Sequence, residues 1–158
     1  MKTSVKQYWL MKSEPSEYSI DDLARDKKAP WYGVRNYQAR NFMRDLMQSG
    51  DVVLFYHSSC PEPGVAGVAE VVGLPYPDST QFDPKSRYYD PKATREKPRW
   101  VSVDVKFKKR FRRVVPLAVL HQEKALRHLI ILQPGNRLSI TPVAQAAFNL
   151  ITKKAASL

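Results

Sequence analysis

Hydrophobic and polar residues follow two periods along this chain, one typical of helices and the other typical of strands. Between Asn36 and Gly50 the apolar residues fall at i, i+3, i+4, i+7 and i+8, the spacing of one buried helical stripe. They are Ala39, Phe42, Met43, Leu46 and Met47. Asn36 is a favourable cap and Gly50 a favourable terminator, so a helix is predicted between them.

Two further helices are predicted from their capping residues. Ser19 and Asp22 have the spacing of a capping box, which predicts a short helix that ends before Pro30. Near the C-terminus, Thr141 and Pro142 match the cap and the first residue of a helix. A short helix is also predicted near LHQEKALRHL at 120–129. We therefore expect three main helices and this short one, separated by strands.

Alternating and β-branched runs predict the strands. The clearest strand lies at 100–115, where apolar and polar residues alternate. Segments 7–12, 51–57 and 64–73 are predicted as further strands. Gly67 lies within the last of these, which indicates a bulge or a close backbone approach.

Residues 74–98 predict a long loop. This segment carries five prolines and few aliphatic residues, so a long helix or strand is excluded. Long loops inside compact domains are usually functional or disordered. Three aromatic residues, Phe82, Tyr88 and Tyr89, favour an ordered loop.

The order of these elements predicts an α+β fold, in which helices are inserted irregularly between the strands of a closed or strongly curved sheet. The chain has 158 residues, so a single domain over 1–158 is expected. A dinucleotide-binding fold is disfavoured because no G-x-G-x-x-G pattern follows a strand, and the chain contains no P-loop pattern.

The charge balance makes nucleic acid the first partner to consider. Lys and Arg number 26 against 15 Asp and Glu, which gives a formal net charge of +11. Such an excess attracts polyanions. A basic surface also keeps a small protein soluble, so the composition alone leaves both interpretations open.

The numbers of cysteine and histidine residues limit which disulfides and metal sites are possible and which cellular compartment is expected. Cys60 is the only cysteine, and the three histidines are dispersed, so neither an internal disulfide nor a zinc site is predicted. We expect no metal and no other cofactor. No segment has the length of a signal peptide or of a membrane span, which predicts a protein without a membrane partner, cytoplasmic in a bacterium or nuclear in a eukaryote.

Six cations lie within eight residues and are interleaved with two phenylalanines. They are Lys106, Lys108, Lys109, Arg110, Arg112 and Arg113. Such a density predicts contacts with a phosphate backbone, whereas a solvated strand end is the alternative. Because phosphate contacts position a nucleic acid without specifying its sequence, this stretch alone predicts a sequence-independent binder.

Trp31 lies outside any periodic apolar stripe, between Pro30 and Gly33, so one face of its ring is expected to be free. Stacking of a nucleobase on an aromatic ring is worth ~1–3 kcal/mol, enough to hold a base that has left its helix. Arg35 is then placed to reach a phosphate.

Two polar segments allow a catalytic interpretation. His57, Ser58 and Cys60 supply a base and nucleophiles, but neighbours on a strand point to opposite faces and no nucleophile elbow is present. A polar strand end that lines a pocket is the preferred interpretation. Lys12 and Glu14 are either an activated pair or a simple surface ion pair.

Several long motifs resemble one known family. They are YWLMKSEPSEYS at 8–19, WYGVRNYQARNFMR at 31–44, GDVVLFYHS at 50–58, GVAGVAEVV at 64–72, PRWVSVDVKF at 98–107 and LSITPV at 138–143. Together they cover nearly the whole chain and resemble the EVE domain family. This resemblance implies a PUA-like curved β-barrel with surrounding helices, similar to the YTH domains that read methylated adenine in RNA.

The resemblance also implies a binding site. Trp31 is implied to stack on an extruded base, in a family implicated in recognising modified bases such as 5-methylcytosine and its oxidised forms. Trp100 aligns near the corresponding aromatic cage, either as a wall or as a core residue. The other implied pocket residues are Lys12, Ser13, Val34, Asn36, Tyr56, His57 and Ser58, with Leu138 and Ser139 near the rim.

We therefore expect a non-catalytic reader of DNA or RNA that carries a modified base, with Arg35 and the six cations of 106–113 on the backbone. The related ASCH domains imply an alternative, a hydrolase of modified nucleosides in which Lys12 and Glu14 supply a base and a proton shuttle. A third possibility is a fold retained as a protein-interaction module.

Overall fold

The structure is a computed structural model, and it describes residues 5–158. Within these residues, six strands form one mixed sheet in the order β2-β5-β4-β3-β1-β6. Strand β1 runs parallel to β3, and the other neighbouring pairs are antiparallel. The strands are β1 (Tyr8–Ser13), β2 (Lys28–Trp31), β3 (Val52–His57), β4 (Gly64–Pro77), β5 (Val101–Pro116) and β6 (Ile140–Val143).

The helices are short except for the last. They are α1 (Ile20–Asp26), α2 (Tyr37–Asn41), α3 (Leu117–Gln122) and α4 (Gln145–Ser157), and α2 continues as a π-helical turn over Phe42–Leu46. Single turns of 3₁₀-helix lie at Ser79–Phe82, Lys124–Leu126 and Ile130–Leu132. The predicted caps of the first two helices are confirmed: Ser19 and Asp22 form a capping box, and the Asn36 side chain accepts a hydrogen bond from the backbone N–H of Ala39.

The sheet is not closed, but it curls so that its inner face forms one core. The ring of Trp31 on β2 lies edge-on to the ring of Phe55 on β3, with 5.5 Å between the ring centroids. Two strands, β5 and β4, separate β2 from β3 in the sheet. Contact across two intervening strands therefore requires strong curvature, and the predicted α+β fold around a curved sheet is confirmed.

Strand alternation divides the buried residues between two cores. On β1, Trp9 and Met11 belong to the inner core, together with residues of α1 and α2, whereas Leu10 belongs to the outer core. The outer core includes Leu120 of α3 and Ile151 of α4. Both faces of the sheet are thus covered, which fits its nearly continuous apolar strands.

Gly67 shows the predicted close approach. The pairing of β4 with β5 shifts register between Val65 and Gly67. A Cβ atom added to Gly67 would lie 2.3 Å from the backbone oxygen of Lys109. Only glycine allows the two strands to approach this closely at that position.

The helix predicted between Asn36 and Gly50 ends at Leu46, and three further assignments differ from the sequence prediction. Thr141 and Pro142 do not cap a helix; they lie in β6, paired with Leu10 and Trp9 of β1, and α4 begins at Gln145. Residues 28–31 form the unpredicted strand β2, because Pro30 lies on an edge strand, where a missing N–H is tolerated. Strand β4 extends to Pro77, four residues beyond the predicted 64–73, because its distal end also pairs with β5.

The buried carboxylate of Asp51 joins the start of β3 to the segment that precedes β1. It accepts hydrogen bonds from the backbone N–H and the side-chain amide of Gln7, from the indole N–H of Trp9 and from the backbone N–H of Gln48. The Asp51 residue is only 1% exposed, so these four donors have little access to water as an alternative partner.

We expect Asp51→Ala to lower the free energy of unfolding by at least about 3 kcal/mol. The buried indole N–H of Trp9 loses its acceptor, which costs ~1–3 kcal/mol, and three partly buried N–H donors lose theirs as well. Urea denaturation measures the change. The matched control is Asp83→Ala: Asp83 is exposed and its side chain accepts one bond, from the N–H of Lys85. Equal losses in the two variants would contradict the role assigned to Asp51.

Candidate functional site

A cavity of about 500 Å³ lies where the two ends of the curled sheet approach each other. This volume is within the ~300–1,000 Å³ typical of ligand pockets. Its lining residues come from the end of β1 and the turn after it, from the last residue of α1, from β2 and the segment after it, and from three loops. They are Lys12, Ser13, Glu14, Glu17, Tyr18, Asp26, Lys28, Ala29, Pro30, Trp31, Tyr32, Gly33, Val34, Arg35, Ser58, Arg87, Tyr88, Arg137 and Ser139.

Trp31 is both a wall of this cavity and part of the inner core. On β2, Ala29 and Trp31 are buried, whereas Lys28 and Pro30 are exposed, as strand alternation requires. The Trp31 residue is 9% exposed and lies edge-on to Phe55. Its indole is therefore held rigidly, and its remaining accessible surface faces the cavity.

The ring of Tyr88, which packs against Gly33, forms a second aromatic part of the wall. Gly33 has φ +82°, and a Cβ atom added there would lie 2.7 Å from the nearest atom of the Tyr88 ring. Tyr32, which is 53% exposed, lies edge-on to the same ring at a centroid distance of 6.0 Å. The ring of Tyr88 thus occupies the space that any other side chain at position 33 would need.

Asp78 and Arg35 hold these two parts of the wall together. The buried carboxylate of Asp78 accepts a hydrogen bond from the backbone N–H of Gly33 at 2.7 Å and pairs with Arg35 at 3.0 Å. Burial raises the pKa of Asp78, but hydrogen bonds from Thr80, Gly33 and Arg35 outweigh it and lower the pKa below its usual value. Asp78 therefore remains ionised at neutral pH and fixes the segment after β2.

Arg35 does not occupy the phosphate-binding position expected from the sequence. Its guanidinium donates two hydrogen bonds to the carbonyl of Tyr88 and one each to Val34, Asp78 and Thr80. A guanidinium has five N–H donors, so all five are engaged within the protein. Arg35 is a structural link between the cavity wall and the loop after β4.

Six of the ten pocket residues expected from the sequence line the cavity. These six are Lys12, Ser13, Trp31, Val34, Ser58 and Ser139. The residues that the structure places outside the lining are Asn36, Tyr56, His57 and Leu138. Most of the residues implied by the resemblance therefore come together around one cavity, whereas four of them do not face it.

Local geometry explains the four exceptions. Asn36 caps α2, and Tyr56 alternates to the outer face of β3, where it is buried in the outer core. His57 accepts a hydrogen bond at Nε2 from the backbone N–H of Ile20, at 3.1 Å. Leu138 is half-buried beside Ser139 and takes no part in the lining.

Several lining residues were not predicted, because they come from loops distant in sequence. Arg87 and Tyr88 belong to the loop after β4, and Arg87 pairs with Glu17 across the cavity at 2.9 Å. The aromatic residues of that loop were the available signal, since they favoured order. Arg137, which precedes β6, had no signal beyond its charge.

Trp100 is an anchor of the loop and does not line the cavity. Its ring stacks on Tyr37 at a centroid distance of 4.8 Å, and its indole N–H donates to Asp90 at 2.8 Å. Trp100 is 6% exposed. Of the two roles considered for it, the structure favours the core residue over the pocket wall.

Lys12 presents a half-buried ammonium to the cavity. Among residues 5–158, that ammonium has no hydrogen bond and no ion pair, and burial lowers the pKa of the side chain. Glu14 lines the same cavity but does not pair with it. The ammonium is therefore available to an acceptor on a bound molecule.

The basic residues of β5 do not form one surface. Lys106 and Lys108 pair with Glu70, and Arg110 pairs with Asp21 of α1. A register shift opposite Val68 and Ala69 interrupts the alternation of β5. Beyond it, Lys109 and Arg112 lie beside the C-terminal end of α4. None of the six expected backbone contacts, Lys106, Lys108, Lys109, Arg110, Arg112 and Arg113, lines the cavity.

Within residues 5–158, no group of three or more His, Cys, Asp or Glu side chains is arranged to hold a metal ion. The helices of the same residues include none with the length and apolar character needed to cross a membrane.

Comparison with known proteins places this geometry in a family. A family model described as the EVE domain matches residues 7–154, a range that contains all six described strands. The chain belongs to the EVE domain family. The resemblance seen in the sequence motifs is therefore confirmed.

The relatives of this EVE domain include bacterial and eukaryotic proteins. Human thymocyte nuclear protein 1 is 41% identical over 167 residues, which cover 94% of this chain and 73% of the human protein. A crystal structure of a protein from Pseudomonas syringae has a TM-score of 0.91 at 51% identity and covers 94% of this chain and 99% of that one. The crystal structure of human THYN1 protein in complex with 5-methylcytosine containing DNA has a TM-score of 0.87 at 40% identity. It covers 95% of this chain and 98% of that one.

We expect Gly33→Ala to destabilise the protein and displace the Tyr88 ring. A left-handed backbone costs a non-glycine residue ~1–2 kcal/mol, and overpacking adds ~1–3 kcal/mol. Gly135→Ala is the matched control, because Gly135 has φ +74° but open space around its Cβ position. Thermal unfolding should show the larger loss for Gly33→Ala; equal losses would contradict the contact with Tyr88.

We expect His57 to make stability depend on pH. Burial lowers the pKa of His57, so the folded protein resists a proton that the unfolded chain binds near pH 6.5. Stability is complete above that pH and falls as the pH decreases towards the lowered pKa. Urea denaturation should show a weaker pH dependence for His57→Gln than for wild type.

The matched control for this pH dependence is His128→Gln, because His128 is exposed. This variant should retain the wild-type slope of stability against pH. An unchanged slope in His57→Gln would show that another group causes the dependence.

Proposed function

We propose that this EVE domain is a non-catalytic reader, which binds nucleic acid and accommodates one flipped, modified base in the cavity beside Trp31. The observation that carries the proposal is the cavity itself: about 500 Å³, with a rigid indole in its wall and an unpaired ammonium in its lining. The related human protein crystallised with DNA that contains 5-methylcytosine supports the same class of ligand.

The energetics of base extrusion are compatible with this cavity. Removing one base from its stack costs a few kcal/mol, and stacking on one aromatic ring returns ~1–3 kcal/mol. A methyl group that enters an apolar environment adds ~0.8 kcal/mol. A modified pyrimidine such as 5-methylcytosine is therefore favoured over its unmodified form wherever the added group meets the apolar side of the wall.

Lys12 supplies a polar contact suited to a base edge. An ammonium group has three donors and no acceptor, so it recognises carbonyl oxygens and ring nitrogens that carry no proton. Ser58 and Ser139 line the same cavity with hydroxyls that both donate and accept. Together these groups can orient a base whose face lies against Trp31.

The same geometry argues for binding over catalysis. His57 is committed to the backbone of α1, and Lys12 and Glu14 form no pair, so neither catalytic arrangement considered from the sequence is assembled in the structure. We propose that the protein acts where nucleic acid is found, in the nucleus of a eukaryote or in the cytoplasm of a bacterium.

Hydrolysis of modified nucleosides is a second candidate function, favoured by the lowered pKa of Lys12 within the cavity. Product release from a modified nucleoside that disappears in Lys12→Gln would support it. A reader instead shows no turnover, while Lys12→Gln weakens binding of the modified strand.

We expect Trp31→Leu to abolish the preference for a modified base. Affinity for oligonucleotides with one cytosine, 5-methylcytosine or 5-hydroxymethylcytosine is measured by titration, with DNA and RNA forms. Loss of stacking should weaken binding of the preferred strand about tenfold, since stacking is worth ~1–3 kcal/mol.

Trp9→Leu is the matched control, because Trp9 is also buried in the inner core but lies outside the cavity lining. Circular dichroism verifies that both variants are folded. Trp9→Leu should retain the preference of wild type. If Trp31→Leu also retained it, the assignment of the cavity as a base pocket would be wrong.

A further inference from the structure

Cations without an ionic partner are concentrated at the cavity. Of the five cationic residues in its lining, Arg35 pairs with Asp78 and Arg87 pairs with Glu17. The remaining three, Lys12, Lys28 and Arg137, form no ion pair within residues 5–158. Among the lining carboxylates, Glu17 and Asp26 are paired with arginines, which leaves Glu14 against these three cations. The cavity therefore has an excess of positive charge.

Two of these cations lie on opposite walls of the mouth. Lys28 is exposed at the start of β2, one edge of the sheet. Arg137 is exposed just before β6, the other edge, and the adjacent segment is held against β1 by a 2.8 Å hydrogen bond from the N–H of Lys12 to the carbonyl of Ser139. Each edge of the sheet thus contributes one exposed, unpaired cation to the same opening.

The surroundings of Lys28 add to its need for an anion. In the pairing of β2 with β5, Lys28 lies directly opposite Lys106. Like charges in this position repel each other. Lys106 is neutralised by Glu70 at 3.2 Å, but Lys28 has no carboxylate of its own. The charge of Lys28 is therefore the one in this pair that is left without a counter-ion.

We propose that Lys28 and Arg137 are a two-point clamp for the phosphates that flank the flipped nucleotide. The proposal rests on the proposed function, since it specifies how the backbone crosses the mouth while one base occupies the cavity. A nucleotide has one phosphate on each side of its sugar. When its base enters a cavity, those two phosphates remain at the opening, where the two walls each present a cation.

This clamp and the base pocket have different effects on binding. Phosphate contacts fix position without reading sequence, so the clamp contributes equally to modified and unmodified strands. It also differs from the basic strand, since half of the cations of 106–113 are engaged in ion pairs and none lines the cavity. The two cations at the mouth therefore determine much of the salt dependence of binding.

The experiment compares two double variants that remove the same charge. Lys28→Gln with Arg137→Gln removes the clamp; Lys109→Gln with Arg112→Gln removes two exposed cations that form no ion pair within residues 5–158 and lie away from the cavity. Affinity for single strands with and without 5-methylcytosine is measured over a range of salt concentrations. Loss of two phosphate contacts reduces the slope of log K against log salt by about 1.4 for a single strand.

We expect this reduction in the Lys28/Arg137 variant, with the ratio of affinities for modified and unmodified strands unchanged, and little change of slope in the Lys109/Arg112 variant. Equal reductions in both variants, or a reduction only in the second, would overturn the clamp and leave the reader function intact. If wild-type protein shows no preference for the modified strand, the proposed function fails, and with it the clamp around a flipped nucleotide.

Discussion

The buried carboxylate of Asp78 is the contact on which the cavity wall depends. It binds the backbone of Gly33 and the guanidinium of Arg35, while its own backbone N–H donates to the carbonyl of Trp100. A buried charge is tolerated only when it is paired and hydrogen-bonded, so these segments are held in one arrangement. Arg35 extends the link to the carbonyl of Tyr88. The long loop after β4 is thereby fixed as part of the site.

The curvature of the sheet determines the position of the part of the cavity wall that contains Trp31. Because the sheet curls without closing, its edge strand β2 approaches the end of β1, and the opening between them becomes the cavity. Trp31 belongs both to the inner core and to the cavity wall, since its edge lies against Phe55 and its remaining surface lines the opening. The residue proposed to hold a base is therefore also one that maintains the curvature.

Short-range patterns predicted the parts of this fold that short-range interactions determine. The caps at Ser19 and Asn36 and the alternation of the first half of β5 depend on neighbouring residues, and the structure agrees with each. Strand β2 was missed because Pro30 is tolerated only at a sheet edge, which is a property of the tertiary structure. Arg35 was expected to bind phosphate. Its partner Asp78 lies 43 residues away in sequence, so the ion pair that engages its guanidinium could not be recognised from neighbouring residues. Tyr88 reaches the site through the same long-range contact.

Nuclear magnetic resonance of an oligonucleotide with a single carbon-13 methyl group on 5-methylcytosine tests the occupancy of the cavity most directly. A methyl group beside Trp31 should shift upfield in the ring current and show nuclear Overhauser contacts to the indole protons. Both effects should disappear in Trp31→Leu. A methyl signal that keeps its unbound shift, and has no contact with the indole while the oligonucleotide is saturated with protein, would contradict a base pocket at this site.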